Sequence, residues 1–150
     1  MMYMMYICLG GEDIMLSYDK IADARSHLKD MYDSAQSGVP AVVRRASDPP
    51  VAVVKAESLK HALRSLCPVD PQVSFAESGV SMWLPGLPVS AEAPEFADAV
   101  NFFLEALRDY ADLWVEDLRR YPNHEDNWGL VNLVLLSDDD EMRQHIFGER

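Results

Sequence analysis

The chain has 150 residues, with 13 Lys or Arg against 25 Asp or Glu, so its formal net charge is −12 at pH 7. This length fits one compact domain or two small ones, and a hydrophobic content of 49% is enough for a core. The overall charge argues against unspecific binding of nucleic acid, because phosphates repel an acidic protein. No apolar run has the length of a membrane-spanning helix, so we expect no membrane partner.

Cysteine and histidine usage gives no sign of a metal site. Cys8 and Cys67 lie far apart, and no zinc-ligand spacing connects them with the four histidines. We expect two reduced cysteines, no metal, no cofactor and a cytoplasmic location.

Residues 1–14 need separate treatment. Their short apolar stretch lacks the basic flank and the small-residue cleavage site of a secretory signal. Gly10-Gly11-Glu12 back-translates into a purine-rich string just ahead of Met15, as a translated ribosome-binding site does. We interpret residues 1–14 as a start-site extension or a flexible tail.

The charge is unevenly distributed along the rest of the chain. Residues 15–66 carry eight Lys or Arg against six Asp or Glu, whereas residues 67–150 carry five against seventeen. This asymmetry indicates two tasks. The weakly basic part is suited to a polyanion, and the acidic part to a basic protein; the alternative is that the acidic helices are merely solvated.

The first part of the chain alternates strands and helices. A short strand at 15–17 precedes an amphipathic helix over 19–36, which Gly38 and Pro40 end. The β-branched runs 41–45 and 51–54, with turn residues between them, predict a hairpin. Helical spacing resumes over 55–66. The predicted order for 15–66 is therefore β-α-β-β-α.

The second part predicts another small α+β module. Residues 67–71, with two prolines, read as a linker. A hairpin follows over 72–84, then a long helix over 95–119 and a last short helix that ends near 147. For 128–136 the pattern leaves helix and strand open. We therefore expect an α+β fold in which 72–150 form the second module.

The long helix has the clearest apolar periodicity in the chain. Phe102, Leu113 and Val115 fall outside its apolar stripe, which indicates contact with a partner. Trp128, which opens the next apolar segment, is a further candidate.

Four segments of the first part resemble the Phd/YefM antitoxins, in order and with nearly the same gaps. They are Ile21-Ala22-Asp23-Ala24-Arg25-Ser26-His27-Leu28, Ser37-Gly38-Val39-Pro40, Val42-Val43-Arg44-Arg45 and Pro50-Val51-Ala52-Val53-Val54. The chain departs from the family at the hairpin turn, where Ser47-Asp48-Pro49 replaces the usual glycine with a basic residue. The segment around Met82-Trp83-Leu84-Pro85 is loosely similar to HicB-type antitoxins.

The resemblance implies a homodimer that binds the operator of its own operon through 15–66. The residues expected at DNA are Lys20, Arg25, Arg44 and Arg45. Because successive strand residues point to opposite faces, only one of Arg44 and Arg45 is expected to reach DNA, and which one stays open. The acidic module is expected to bind a cognate toxin, with Phe102, Leu113, Val115 and Trp128 as candidate contacts.

Two polar clusters have less specific interpretations. Asp138-Asp139-Asp140-Glu141 could hold a hard cation, but Ser137 followed by Asp140 is a helix-capping arrangement, which we favour. His124-Glu125-Asp126-Asn127 has no nucleophile at a recognisable spacing, so we interpret it as an exposed loop. We therefore expect no enzyme. The alternative to an antitoxin is a stand-alone transcription regulator with a C-terminal ligand-sensing domain.

Overall fold

The computed structural model describes residues 15–148, and the interpretation of residues 1–14 lies outside this part of the chain. The fold is α+β, with two three-stranded sheets and six helices in the described residues. It divides into two compact units, one ending at Lys55 and the other beginning at Ala56.

The first unit holds one sheet and two short helices. Its elements are β1 (Ser17–Tyr18), α1 (Ile21–Ser26), α2 (Leu28–Gln36), β2 (Ala41–Arg45) and β3 (Asp48–Val53). Strand β1 is parallel to β2, which pairs antiparallel with β3. The predicted hairpin is confirmed, but its turn is only Ala46 and Ser47, and Pro49 and Pro50 lie within β3. Strand β3 is an edge strand, where proline's missing N–H is tolerated.

The single helix predicted over 19–36 is wrong, because the chain breaks at His27. That residue has φ −116° and ψ 26°, outside the helical region. The Ser26 hydroxyl donates to the Asp23 carbonyl oxygen at 2.8 Å, and His27 Nδ1 lies 2.8 Å from the same oxygen. Side chains that compete for main-chain acceptors in this way interrupt helices.

The core of the first unit is small. Among residues 15–55, its buried cluster consists of Ala24, Met31 and Ala41. Four large apolar side chains stay more than half exposed, namely Ile21, Leu28, Tyr32 and Val51.

The second unit contains three strands and four α-helices. They are α3 (Ala56–Leu66), β4 (Gln72–Ala76), β5 (Gly79–Trp83), β6 (Ser90–Ala93), α4 (Phe96–Glu116), α5 (Trp128–Leu136) and α6 (Asp139–Phe147). The strands form an antiparallel sheet in this order. The second hairpin and the long helix are confirmed, and 128–136 is a helix. Strand β6 was not predicted, because its small and acidic residues have low strand propensity.

Helix α4 is the centre of this unit. It contacts β5 and β6 as well as α5 and α6. Its buried residues are Ala99, Val100, Phe103, Leu104, Leu107, Tyr110 and Ala111. They follow the helical period that the sequence showed.

Helix α3 packs with the second unit. Leu63 is 2% exposed in the core that α4 organises, and α3 contacts α5. Val69, within the segment interpreted as a linker, is 1% exposed in the same core. The division of the chain thus falls before α3, whereas the sequence analysis grouped α3 with 15–55. The functions assigned to the two units stay predictions.

The predicted cap of the last helix is displaced by one residue. Asp138, not Ser137, is the N-cap: its carboxylate accepts from the Glu141 N–H at 2.8 Å, and the Glu141 carboxylate accepts from the Asp138 N–H at 3.0 Å. Ser137 is 6% exposed, and its carbonyl oxygen instead accepts from Arg108 at 2.7 Å.

Gly79, at the start of β5, supports a test of this packing. Its φ is +135°, and a Cβ there would lie 2.5 Å from the Ala93 carbonyl oxygen; Gly86, with φ +83°, has open space around it. Gly79→Ala should lower the free energy of unfolding by more than the roughly 1–2 kcal/mol that positive φ costs alanine, because β6 must move. Gly86→Ala is the control, because it replaces a glycine that has a positive φ but no close neighbour. Equal urea-unfolding midpoints for the two variants would contradict the close approach.

Candidate functional site

The basic residues of α1 lie at opposite ends of this short helix. Lys20 is its N-cap residue and Arg25 lies in its last turn. Both side chains are exposed, and none of the ion pairs found within residues 15–148 involves them. They are therefore accessible to a phosphate or a base edge.

The two arginines at the end of β2 have different neighbours. Arg44 donates a hydrogen bond to the Ser17 hydroxyl and lies 3.9 Å from the Asp19 carboxylate. Arg45 lies 3.6 Å from the Asp48 carboxylate, and the strand register shifts between Val43 and Arg45. Arg44 thus lies beside the segment that leads to Lys20. Such exposed ion pairs are weak, so phosphate can compete for both guanidinium groups.

The four apolar candidates of the second unit are all exposed. The exposed fractions are 48% for Phe102, 55% for Leu113, 42% for Val115 and 53% for Trp128. Phe102 and Leu113 are eleven residues apart, about three helical turns, so they share one side of α4. Val115 lies on the other flank of the helix.

Carboxylates accompany this side of α4. At 3.6 residues per turn, one stripe of the helix carries Asp98, Glu105, Asp109, Asp112 and Glu116. All five are exposed. Neighbouring carboxylates four residues apart repel each other, so this stripe attracts cations.

A buried lysine connects α3 with α6. The Lys60 side chain is 7% exposed, and its Nζ lies 2.6 Å from Glu141 Oε1 and 2.8 Å from Glu57 Oε1. Arg64 Nη2 lies 3.3 Å from the same Glu141 oxygen. The hydrogen bonds that Lys60 donates to the Glu141 and Glu57 carboxylates raise the pKa of Lys60. The hydrogen bond from Lys60 lowers the pKa of Glu141, and that from the Asp138 N–H lowers it further.

A surface cavity of about 440 Å³ adjoins this cluster. Its lining residues are Arg64, Asp140, Glu141, Gln144 and His145. Arg64 Nε and His145 Nε2 are buried there without a hydrogen-bond partner in the described chain. Because the lining carries both signs of charge, it selects neither anions nor cations.

A second polar cluster holds the loop after α4. Tyr110 is 3% exposed, its hydroxyl accepts from Asn127 Nδ2 at 2.9 Å, and it lies 3.0 Å from His124 Nδ1. Trp114 Nε1 donates to the His124 carbonyl oxygen at 2.7 Å. Burial raises the pKa of Tyr110, and the hydrogen bond from Asn127 opposes that shift. The interpretation of 124–127 as a freely exposed loop is thus corrected for His124 and Asn127, which are partly buried and tie the loop to α4.

Within residues 15–148, no three histidine, cysteine or carboxylate side chains converge as metal ligands. The same part of the chain contains no helix of sufficient length and apolarity to span a bilayer.

Residues 15–147 match the model of the PHD-like family, described as antitoxins of RelE/RelB-type toxin-antitoxin systems. The chain belongs to this antitoxin family. The match includes both units and nearly all described residues. No curated protein matches the antitoxin significantly.

A solved structure has the same fold as the antitoxin. It is a crystal structure at 1.80 Å of the antitoxin part of a toxin/antitoxin system from Syntrophomonas wolfei subsp. wolfei. The TM-score is 0.75 at 17% identity, over 90% of this chain and 97% of the other. These comparisons support an antitoxin and do not favour the alternative of a stand-alone regulator.

No sequence pattern singled out four further polar residues that organise the antitoxin, namely Lys60, Arg64, Tyr110 and Asn127. Lys60 and Glu141 are 81 residues apart, so no local spacing shows their contact. The one indication in the sequence was the position of Lys60. This charged residue lies in the first turns of α3, beside Leu59 and Leu63 on the apolar side of the helix.

The Glu141 contacts predict how the antitoxin responds to acid. A carboxylate with a lowered pKa contributes stability above its unfolded-state pKa and loses it as pH falls through the folded-state pKa. Glu141→Gln should therefore lose less stability than the wild type between about pH 5 and pH 3. Lys60, whose pKa is raised by the same contact, loses its charge only in strong alkali.

The measurement is the urea-unfolding midpoint from pH 3 to pH 8. Glu77→Gln, in the exposed turn between β4 and β5, is the matched control and should follow the wild type. An acid profile of Glu141→Gln that is parallel to the wild-type profile would contradict the ion-pair cluster.

Proposed function

We propose that this antitoxin neutralises a cognate toxin by direct binding through the second unit and represses its own operon through the first. The observation that carries toxin binding is the outward side of α4, where Phe102 and Leu113 stand half exposed beside a stripe of carboxylates. Large apolar side chains with an acidic surround suit a basic protein surface. In the free toxin such a surface would bind RNA, and the antitoxin would cover it.

The first unit supports the more specific assignment to the Phd/YefM type. Its order of strand, helical segment and hairpin agrees with the segments that resemble those antitoxins. Exposed Ile21, Leu28, Tyr32 and Val51 would be covered in a homodimer, because the unit's own core is too small to bury them. For the second unit, a likeness to HicB-type antitoxins stays a hypothesis.

Operator binding would use the basic residues of the dimer. Lys20, Arg25 and Arg44 or Arg45 would contact phosphates and base edges, since arginine's planar fork fits both. Residues 15–55 of the first unit carry six Lys or Arg against five Asp or Glu, so this part of the chain lacks the acidity of the second unit, which supports the division of tasks. As a regulator of its own operon, the antitoxin would work in the cytoplasm, without a cofactor and without catalysis.

Arg25→Ala tests operator binding. The variant should bind DNA from upstream of its own gene more weakly by about 1–3 kcal/mol, because an exposed guanidinium contact is lost. Arg119→Ala, which removes an exposed arginine of the second unit, is the control. The measurement is gel-shift affinity at several salt concentrations. Equal affinities of Arg25→Ala and wild type at matched salt would exclude Arg25 from the DNA interface.

Phe102→Ala combined with Leu113→Ala tests toxin binding. The double variant should bind the protein encoded beside this gene at least roughly 2 kcal/mol more weakly, while its unfolding midpoint stays near wild type because both side chains are exposed. Leu66→Ala, at a side chain that is 75% exposed in the same unit, is the control. Calorimetric titration gives the affinities. Unchanged affinity of the double variant would place the toxin elsewhere.

A further inference from the structure

Strand β4 is an open edge of the second sheet. Within residues 15–148 it pairs only with β5, so the N–H and C=O groups on its other side have no strand partner. Four of its five residues are exposed. Such an edge is a template for a further strand.

The composition of β4 does nothing to block this edge. The strand reads Gln-Val-Ser-Phe-Ala, without charge or proline. The opposite edge, β6, carries the charged residue Glu92 within the strand, whereas prolines adjoin both edge strands, Pro71 before β4 and Pro94 after β6. Charges and prolines are the usual means of protecting an edge strand from pairing. One edge of this sheet is therefore protected, and the other is suited to pairing.

Exposed aromatic rings adjoin the open edge. Phe75 is 71% exposed and stacks on Phe96 with ring centroids 6.1 Å apart. Phe96 is 42% exposed and meets Phe147 edge-on, also at 6.1 Å. An added strand beside β4 would cover part of this row and gain apolar burial together with main-chain hydrogen bonds.

We propose that β4 pairs antiparallel with β4 of a second copy of this chain. With Ser74 opposite Ser74, Val73 of each copy faces Phe75 of the other, and Gln72 faces Ala76. Pairs of an aromatic with a β-branched residue are favourable across antiparallel strands. The strand is thus complementary to itself in a two-fold arrangement.

The charge of the chain favours a second copy, and not the toxin, as the partner that pairs with β4. Each copy has a net charge of −12, which opposes contact between carboxylate-rich surfaces, and β4 itself carries no carboxylate. A basic toxin would find no carboxylate there and is better matched by α4. This contact is independent of the proposed first-unit dimer, and the two together would join dimers into larger assemblies.

Sedimentation equilibrium of the full chain tests the contact. Ser74→Lys sets two lysines opposite each other at the two-fold axis and should weaken this association roughly tenfold or more. Ser90→Lys is the matched control, because Ser90 is also exposed and lies on the opposite edge of the same sheet. Phe75→Ala, which removes the exposed ring, should also weaken the association. Thermal melts verify that the variants fold.

A wild-type assembly larger than a dimer that becomes a dimer in Ser74→Lys, but not in Ser90→Lys, supports the contact. A wild-type dimer that becomes a monomer supports it as well and contradicts dimerisation through the first unit. Equal masses of wild type and Ser74→Lys overturn the contact while leaving the proposed function intact. If Ser74→Lys keeps the wild-type mass but no longer binds the toxin, β4 is a binding edge for the toxin. That result also overturns the proposed contact between two copies.

Discussion

The burial of one side of α4 is the constraint on which the second unit depends. This helix is 21 residues long, and its apolar side packs against the sheet of β4, β5 and β6 as well as against α5 and α6. Phe103 is fully buried at this junction. Because the buried side is fixed by packing, the opposite side of the helix is fixed as well, and its carboxylates and exposed apolar residues face outward.

Polar contacts hold the rest of the unit to this helix. Arg108 donates to the carbonyl oxygens of Val134 and Ser137 and pairs with Asp139 at 2.8 Å, which joins α4 to the end of α5 and the start of α6. Tyr110 holds the loop that follows α4. The Arg108 bonds satisfy main-chain carbonyl groups at a helix end that would otherwise be costly to bury. A preformed outward surface is the functional consequence, because a partner that binds it need not order the helix first.

The sequence was sufficient to predict the helices and strands that are determined by a local residue pattern. The α4 stripe repeats with the helical period, and both hairpins have turn residues between apolar runs, so local patterns were sufficient. The break at His27 depends on side chains that take the Asp23 carbonyl oxygen, and periodicity does not show such competition. Strand β6 has small residues and is positioned by its pairing with β5. The position of α3 depends on Leu63 and on the distant pair of Lys60 with Glu141, which no local spacing reveals.

The sequence was sufficient to identify individual candidate residues, but not to predict how they are arranged relative to one another. Phe102 and Leu113 were identified because they deviate from the apolar stripe, and their exposure agrees with that reasoning. The carboxylate stripe beside them emerges only when the sequence is placed on the observed helix. For the arginines, the strand pattern left Arg44 and Arg45 equivalent, whereas the structure gives them different carboxylate neighbours.

Helix α4 is folded in the free antitoxin, without a partner. Amide hydrogen exchange of the full-length antitoxin, alone and with the protein encoded beside it, tests this most directly. We expect the α4 amides around Phe103 and Leu107 to be strongly protected already in the free protein, since these residues lie in its core. Fast exchange of these amides in the free protein, followed by protection only in the complex, would contradict it.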